Sequence, residues 1–148
     1  YHKGYIHELI GSNFRITDVQ SAIGINQLKK IDKFLEKRKQ VAEKYQSKIN
    51  SINFQENPTY ATTNSHMFFF GIAKSQKHRQ KIINQLWAKK IDSRLAWLPV
   101  NLQPCNPELQ KYKCKNAEEI YKKLFTIPIY NTIKNSEVKQ IIETINSV

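Results

Sequence analysis

The longest run of regularly spaced apolar residues lies between residues 17 and 50, and it predicts helix. Thr17, with Gln20 three residues later, forms a capping-box pattern at its start. A helix of more than 30 residues is long for a globular protein, so the pattern predicts either one rod or two helices divided near Gly24 or residues 29–32. The apolar positions recur mostly at steps of three and four residues: Val19, Ala22, Ile23, Ile25, Leu28, Ile31, Leu35, Val41, Ala42, Tyr45 and Ile49.

The rest of the chain predicts shorter elements of both kinds. Three adjacent Phe residues, Phe68 to Phe70, place rings on both faces of one strand, so we expect both faces to be covered. The pattern predicts an α+β fold, with a small antiparallel or mixed sheet carrying helices on one side. Strands are predicted at residues 52–54, 66–74 and 91–98. Helices are predicted from a Ser75 cap to about Lys89, from an Asn116 cap to about Leu124, and after an Asn135 or Ser136 cap.

The composition is typical of a globular protein, and its excess of positive charge has two possible interpretations. Its 148 residues suit one domain or slightly more, and 40% of them are hydrophobic. Lys and Arg number 24 against 12 Asp and Glu, a formal charge of +12. This excess predicts either a surface that binds nucleic acid or another polyanion, or a solvated lysine surface. We favour the second, because the lysines are spread along the chain and the arginines, which read phosphates and bases best, are only four: Arg15, Arg38, Arg79 and Arg94.

The sequence does not favour a metal site, a membrane span or an oxidising compartment. The four histidines are scattered, so no metal site is predicted, and no run approaches the roughly 20 apolar residues of a membrane span. Cys105 and Cys114 indicate a reducing compartment, which predicts a cytoplasmic protein, although a disulfide between them is allowed. The chain begins with Tyr1 rather than Met, so we expect the later part of a longer protein or a truncated reading frame.

The polar loop before the long helix has the composition of an anion-binding corner. Asn13 and Arg15 lie just before the helix start, where an amide, a guanidinium and unpaired backbone N–H groups meet. The alternative is a well-capped core helix with a polar lead-in.

The same stretch resembles the signature of the DegT/DnrJ/StrS family of PLP-dependent aminotransferases, which act on nucleotide-linked keto-sugars. The similarity continues in order through residues 90–94, 99–104, 117–118 and 124–130. It implies the small C-terminal domain of a fold type I enzyme, with residues 1–51 bridging to a large domain that has no counterpart in this sequence, and residues 52–148 forming the small α+β domain. The matching residues are Gly11, Asn13, Phe14, Arg15, Thr17, Asp18, Gln20, Ala22, Ile23, Gly24, Gln27 and Leu28.

The resemblance also implies site residues. Asn13 corresponds to the asparagine that reaches the PLP phosphate of the neighbouring subunit in a dimer, and a homo-oligomer through residues 11–50 is therefore expected. Arg94 and Trp97 lie where the family lines its substrate cleft, and Arg15 and His7 are weaker substrate-binding candidates. A structural ion pair of Arg15 with Asp18 and a core position for Trp97 are the alternatives.

Two departures from the family limit these expectations. The family often has a histidine where this chain has Asn101. The reactive lysine of the family precedes a glycine-rich run, and no such pattern occurs among the four glycines of this sequence. We therefore assign no catalytic residue, and we expect no covalently bound PLP and no activity from the chain alone.

The sequence is compatible with three functions. The first is part of a sugar aminotransferase for amino-sugar and polysaccharide biosynthesis, with PLP and a nucleotide-sugar bound by the parent enzyme. The second is a basic α+β module that binds nucleic acid or another polyanion, for which charge is the only support. The third is an inert truncated product.

Overall fold

The computed structural model describes residues 14–148, which divide between two compact units at residues 32 and 33. The described chain contains helices, short strands and two 3-10 turns, at Val100–Leu102 and Pro107–Leu109. The helices are α1 (Asp18–Leu28), α2 (Ile31–Lys48), α3 (Gln76–Ala88), α4 (Lys115–Tyr121) and α5 (Asn135–Asn146). The strands are β1 (Asn53–Phe54), β2 (Phe69–Ile72) and β3 (Leu124–Ile127).

Helix α1 starts with the predicted capping box. The Gln20 N–H donates to Thr17 Oγ1 at 3.3 Å, and the Thr17 N–H donates to Gln20 Oε1 at 3.0 Å. The long apolar pattern forms two helices rather than one rod, and the break is a turn at Lys29 and Lys30. No residue of α1 is buried, so its apolar side chains face solvent in this chain.

The sheet is antiparallel in the order β1, β2, β3. Strand β3 corrects the prediction of a helix that reaches about Leu124. Its four residues pair with β2, Phe69 facing Ile127 and Ile72 facing Leu124. The pairing partner lies far away in sequence and the strand is short, so local periodicity carried little signal for it.

The core lies on one face of this sheet, and α2, α3 and α5 cover it. Phe69, Phe125 and Ile127 point inward from the strands. The Tyr45 ring lies 5.6 Å from the Phe69 ring, and its hydroxyl donates to the Pro128 carbonyl at 2.9 Å. Burial, followed by the proximity of Tyr130 and Glu137, raises the pKa of Tyr45. The helices contribute these buried apolar residues: Val41, Ala42, Ile82, Ile83, Leu86, Val138, Ile141 and Ile145.

The other face of the sheet is open, which corrects the expectation that both faces are covered. Phe69 is buried, but Phe68 remains 46% exposed and Phe70 is half-buried. These two rings pack on each other and on Trp97 instead of under a helix.

The strand predicted at residues 91–98 does not form, and a single bridge joins Leu95 to Phe125. Side-chain hydrogen bonds to Thr126 replace the backbone hydrogen bonds that a paired strand would form in this segment. The Arg94 N–H donates to Thr126 Oγ1 at 2.9 Å, and the Ser93 hydroxyl donates to the Thr126 carbonyl at 2.7 Å. Backbone pairing therefore stops after one position.

The predicted cap of α3 is confirmed, and the predicted caps of α4 and α5 are wrong. The Ser75 cap is confirmed, since Ser75 Oγ accepts from the His78 N–H at 3.1 Å. The Asn116 cap is wrong, because α4 begins at Lys115 without a side-chain cap. The last helix also lacks the predicted cap. Its first turn is closed by Glu137 Oε2, which accepts from the Lys134 N–H at 2.7 Å, while Asn135 Oδ1 accepts from Lys44 Nζ.

Within residues 14–148, every helix is too short or too polar to cross a lipid bilayer.

Gly71 lies where β2 approaches the core most closely, which gives a test of this packing. A Cβ at Gly71 would stand 2.7 Å from Ile52 Cδ1 and 2.7 Å from Phe125 Cζ. We expect Gly71→Ala to lower the free energy of unfolding by about 1–3 kcal/mol, because the core must be overpacked to accept it. Urea denaturation would measure this change.

Gly24→Ala is the matched control. A Cβ at Gly24 has no neighbour within 4 Å among residues 14–148, and alanine favours helix by up to about 1 kcal/mol, so this variant is expected to be neutral or slightly stabilised. Equal stability of Gly71→Ala and the parent chain would contradict the packing described here.

Candidate functional site

A groove of about 400 Å³ opens where β2 begins and β3 ends. The antiparallel pairing of Phe69 with Ile127 brings these two strand ends together. The segment around Arg94 closes the third side, because it runs beside β3. The groove is lined by Met67, Phe68, Phe69, Asp92, Arg94, Thr126, Ile127, Pro128, Ile129 and Tyr130.

Arg94 has a fixed backbone and an available side chain. Thr126 holds the backbone from both sides, donating its N–H to the Arg94 carbonyl at 2.8 Å and accepting the Arg94 N–H on Oγ1. The guanidinium donates from Nε to Asp92 Oδ1 at 3.2 Å, with both side chains at least 70% exposed. An exposed ion pair of this kind contributes about 0–1 kcal/mol, so an anionic ligand can compete with Asp92 for Arg94 at little cost.

Trp97 belongs to a small aromatic cluster beside the groove. Its ring meets the Phe68 ring edge-on with centroids 4.7 Å apart, and the Phe70 ring lies 6.0 Å away. Trp97 is 67% exposed and is therefore not a core residue. Phe68 also lines the groove, so the aromatic cluster that contains Trp97 adjoins the groove that Arg94 lines, although Trp97 itself is not a lining residue.

The remaining predicted site residues are not gathered there. His7 and Asn13 lie outside the described residues. Arg15 is exposed, and no salt bridge joins it to Asp18 within the described part of the chain.

Two groove residues escaped the sequence analysis, although both lie in segments that resemble the family. Asp92 is the partner of Arg94. The Tyr130 hydroxyl donates to Glu137 Oε2 at 3.3 Å, and burial together with the Glu137 carboxylate raises the pKa of Tyr130. Their roles depend on contacts between distant segments, so spacing alone did not mark them.

Asn101, which departs from the histidine of the family, has a structural role. It is buried, and its Nδ2 group donates to the Tyr112 carbonyl at 3.0 Å and to Glu118 Oε1 at 2.8 Å. Glu118 Oε1 also accepts the Cys114 N–H at 3.0 Å. Asn101 thus ties the loop that precedes α4 to the helix itself.

The described residues do not fit a complete PLP pocket. A lysine that forms an imine with PLP is made reactive by burial and by neighbouring cations, and none of the lysines within residues 14–148 is buried. The same stretch holds no group of three or more His, Cys, Asp or Glu side chains that could hold a metal ion.

Solved structures share this arrangement of helices and strands. DesV from S. venezuelae superposes with a TM-score of 0.83 at 20% identity, over 99% of this chain and 40% of DesV. PseC, an aminotransferase from Helicobacter pylori, superposes with a TM-score of 0.81 at 22% identity, over 99% of this chain and 41% of PseC. The fold is therefore that of part of a fold type I PLP-dependent aminotransferase. The chain belongs to the DegT/DnrJ/EryC1/StrS aminotransferase family, which it matches over residues 1–146.

Curated relatives agree with this assignment. A GDP-perosamine synthase of Escherichia coli O157:H7 is 29% identical over 146 residues, which are 98% of this chain and 40% of the relative. A UDP-4-amino-4,6-dideoxy-N-acetyl-beta-L-altrosamine transaminase of Campylobacter jejuni is 27% identical, over 94% of this chain and 38% of the relative. The chain spans about 40% of the length of the curated relatives it matches. These comparisons give no support to the alternative of a polyanion-binding module.

The structural role of Asn101 can be tested by deleting its amide. We expect Asn101→Ala to lower the free energy of unfolding by about 1–3 kcal/mol, because it leaves the Tyr112 carbonyl and the Glu118 carboxylate without their shared donor. Chemical denaturation followed by circular dichroism would measure the loss.

Asn84→Ala provides the comparison, since Asn84 is exposed and accepts only the Gln80 amide one turn away. Its effect is expected to stay within about 0.5 kcal/mol. If the two variants lose equal stability, Asn101 does not organise this loop.

Proposed function

We propose that this chain forms the small α+β domain and the bridging helices of a PLP-dependent aminotransferase that transfers an amino group to a nucleotide-linked keto-sugar. The observation that carries the proposal is the family match over residues 1–146, together with relatives whose names denote GDP- and UDP-linked amino-sugars. Biosynthesis of polysaccharide amino-sugars is the proposed setting.

The groove supports a role in substrate recognition. The exposed Arg94 guanidinium suits a phosphate of the nucleotide, which it can take in exchange for the weak contact with Asp92. The open face of Trp97 suits a sugar or base ring. Arg15 and His7 are proposed as further substrate contacts on the basis of the sequence alone.

Asn13 is proposed to hold the phosphate of PLP bound in a neighbouring subunit. An asparagine amide just before the start of α1 is a suitable donor to a phosphate oxygen. PLP supplies the electron sink for transamination, and the amine that bonds to it is proposed to lie in another part of the enzyme. We also propose a cytoplasmic location, which the free and exposed thiols of Cys105 and Cys114 support.

A chimera tests this function directly. This chain replaces the matching segment of the E. coli GDP-perosamine synthase, which retains its own remaining sequence and lysine. We expect the purified chimera to bind PLP, and Asn13→Ala to weaken PLP binding about 10-fold or more, since a hydrogen bond to a charged group contributes about 1.5–3 kcal/mol. Absorbance titration with PLP would give both dissociation constants.

Asn26→Ala in the chimera is the control. The Asn26 amide is exposed and, among the described residues, donates to the Ala22 carbonyl of its own helix alone, so PLP binding is expected to be unchanged. The chain alone, mixed with PLP and borohydride, is expected to carry no stoichiometric adduct at a single lysine. A folded chimera whose Asn13→Ala variant holds PLP as tightly as the parent, or a single-site adduct on the chain alone, would overturn the proposed division of roles.

The exposed apolar residues of α1 are proposed to contact a second copy of the chain. Val19, Ile23 and Leu28 are 71%, 58% and 69% exposed, an arrangement that a soluble monomer rarely leaves open. We expect the chain to sediment as an oligomer, and Ile23→Lys to weaken its association at least about 10-fold, because an unpaired charge would be buried in the contact. Analytical ultracentrifugation across a concentration series would measure the change.

Val100→Lys is matched to this variant, since Val100 is 63% exposed and lies on a different surface element. The control is expected to leave the oligomer intact. A parent chain that sediments as a monomer at every concentration would contradict the contact, and dissociation by Val100→Lys alone would place it elsewhere.

A further inference from the structure

His66 is an unusual residue at the end of an exposed loop. Every residue from 55 to 65 is exposed, whereas His66 is only 7% exposed. Its backbone has a φ of 45°, a left-handed conformation that histidine tolerates better than most side chains but that still costs free energy. Packing of the side chain must therefore compensate for the strain.

The packing that holds His66 is aromatic. Its ring lies against Phe69 with centroids 5.9 Å apart, and Phe69 in turn contacts Phe54 and Tyr45 of the core. No group within residues 14–148 forms a hydrogen bond with the imidazole, and only the His66 N–H is bonded, to Asn64 Oδ1 at 2.9 Å. The ring thus joins the loop to the core by apolar contact.

We propose that His66 is a pH-sensitive anchor, which holds the loop of residues 55–65 on the core while its ring is neutral and releases the loop when the ring is protonated. A charged imidazolium in this position loses part of its hydration without gaining a hydrogen bond from a described residue. The inference stands independently of the proposed function.

The surroundings of the ring determine the direction of the effect. Helix α2 presents the Glu43 carboxylate. The small cavity that His66 lines is otherwise formed by neutral residues: Gln46, Phe54, Gln55, Asn57, Asn64, Phe68, Phe69 and Phe70. Burial lowers the pKa of His66 below its ordinary value of 6.5, and Glu43 opposes this only in part. Anchoring is therefore complete above about pH 6.5 and is lost as the pH falls below that value.

Release of the His66 ring is expected to affect the candidate site, because the two are adjacent in sequence. Met67 and Phe68 follow His66 directly and line the groove beside Arg94. A change at His66 therefore alters one wall of the groove and the contact between Phe68 and Trp97.

Two measurements on the full chain test the anchor. Proton NMR across a pH series is expected to show the His66 ring titrating below the value it takes in urea, and Glu43→Gln is expected to lower it further. Hydrogen exchange of the segment 64–70, corrected for intrinsic rates, is expected to lose protection several-fold between pH 7.5 and pH 5.0.

Variants separate this anchor from general acid effects. His66→Phe keeps an aromatic ring and His66→Asn keeps the tolerance for a positive φ, and with either one the pH dependence of segment 64–70 is expected to disappear. His78→Phe is the control and should retain it, because His78 lies in α3 and its ring accepts the Lys74 N–H. The proposal fails if His66 titrates at or above its value in urea, or if the folded His66 variants keep the full response.

Discussion

The antiparallel pairing of β2 with β3 is the constraint on which the rest of the structure depends. It joins residues 69–72 to the distant residues 124–127, and it places Phe125 and Ile127 against the core. The end of β3 then supplies the Pro128 carbonyl to Tyr45 of α2, and Thr126 supplies the bonds that position Arg94. Gly71 lies in the same pair of strands. Both the core and the groove therefore depend on the pairing of β2 with β3.

This sheet produces an unequal distribution of apolar surface. Helices cover the inner face of the sheet, while Phe68 and Trp97 remain exposed to solvent beyond its other face. The first unit likewise exposes the apolar residues of α1. Open aromatic and aliphatic surface of this extent is typical of chains that contact other protein or ligand. It supports a role within a larger assembly, as the proposed function requires.

The sequence predicted those features that depend on neighbours along the chain. The caps at Thr17 and Ser75 were found because their partners lie three residues away, and the helices α2, α3 and α5 follow from apolar periodicity. Strand β3 was not predicted, because its partner β2 lies far away in sequence. The strand predicted at 91–98 does not form, because bonds to Thr126 from Ser93 and Arg94 take the place of a ladder. In the site, Arg94 and Trp97 came from the resemblance, whereas Tyr130 emerged only with the tertiary structure.

The chemistry of the described residues favours recognition over bond-making. Arg94 and Trp97 are exposed, and an exposed cation beside an aromatic face can bind and release a charged, ring-containing ligand at low cost. Covalent chemistry with PLP has the opposite requirement, a desolvated amine, and the lysines of residues 14–148 stay in contact with solvent. These properties of residues 14–148 agree with the proposed function, in which substrate recognition and the reacting amine come from different segments.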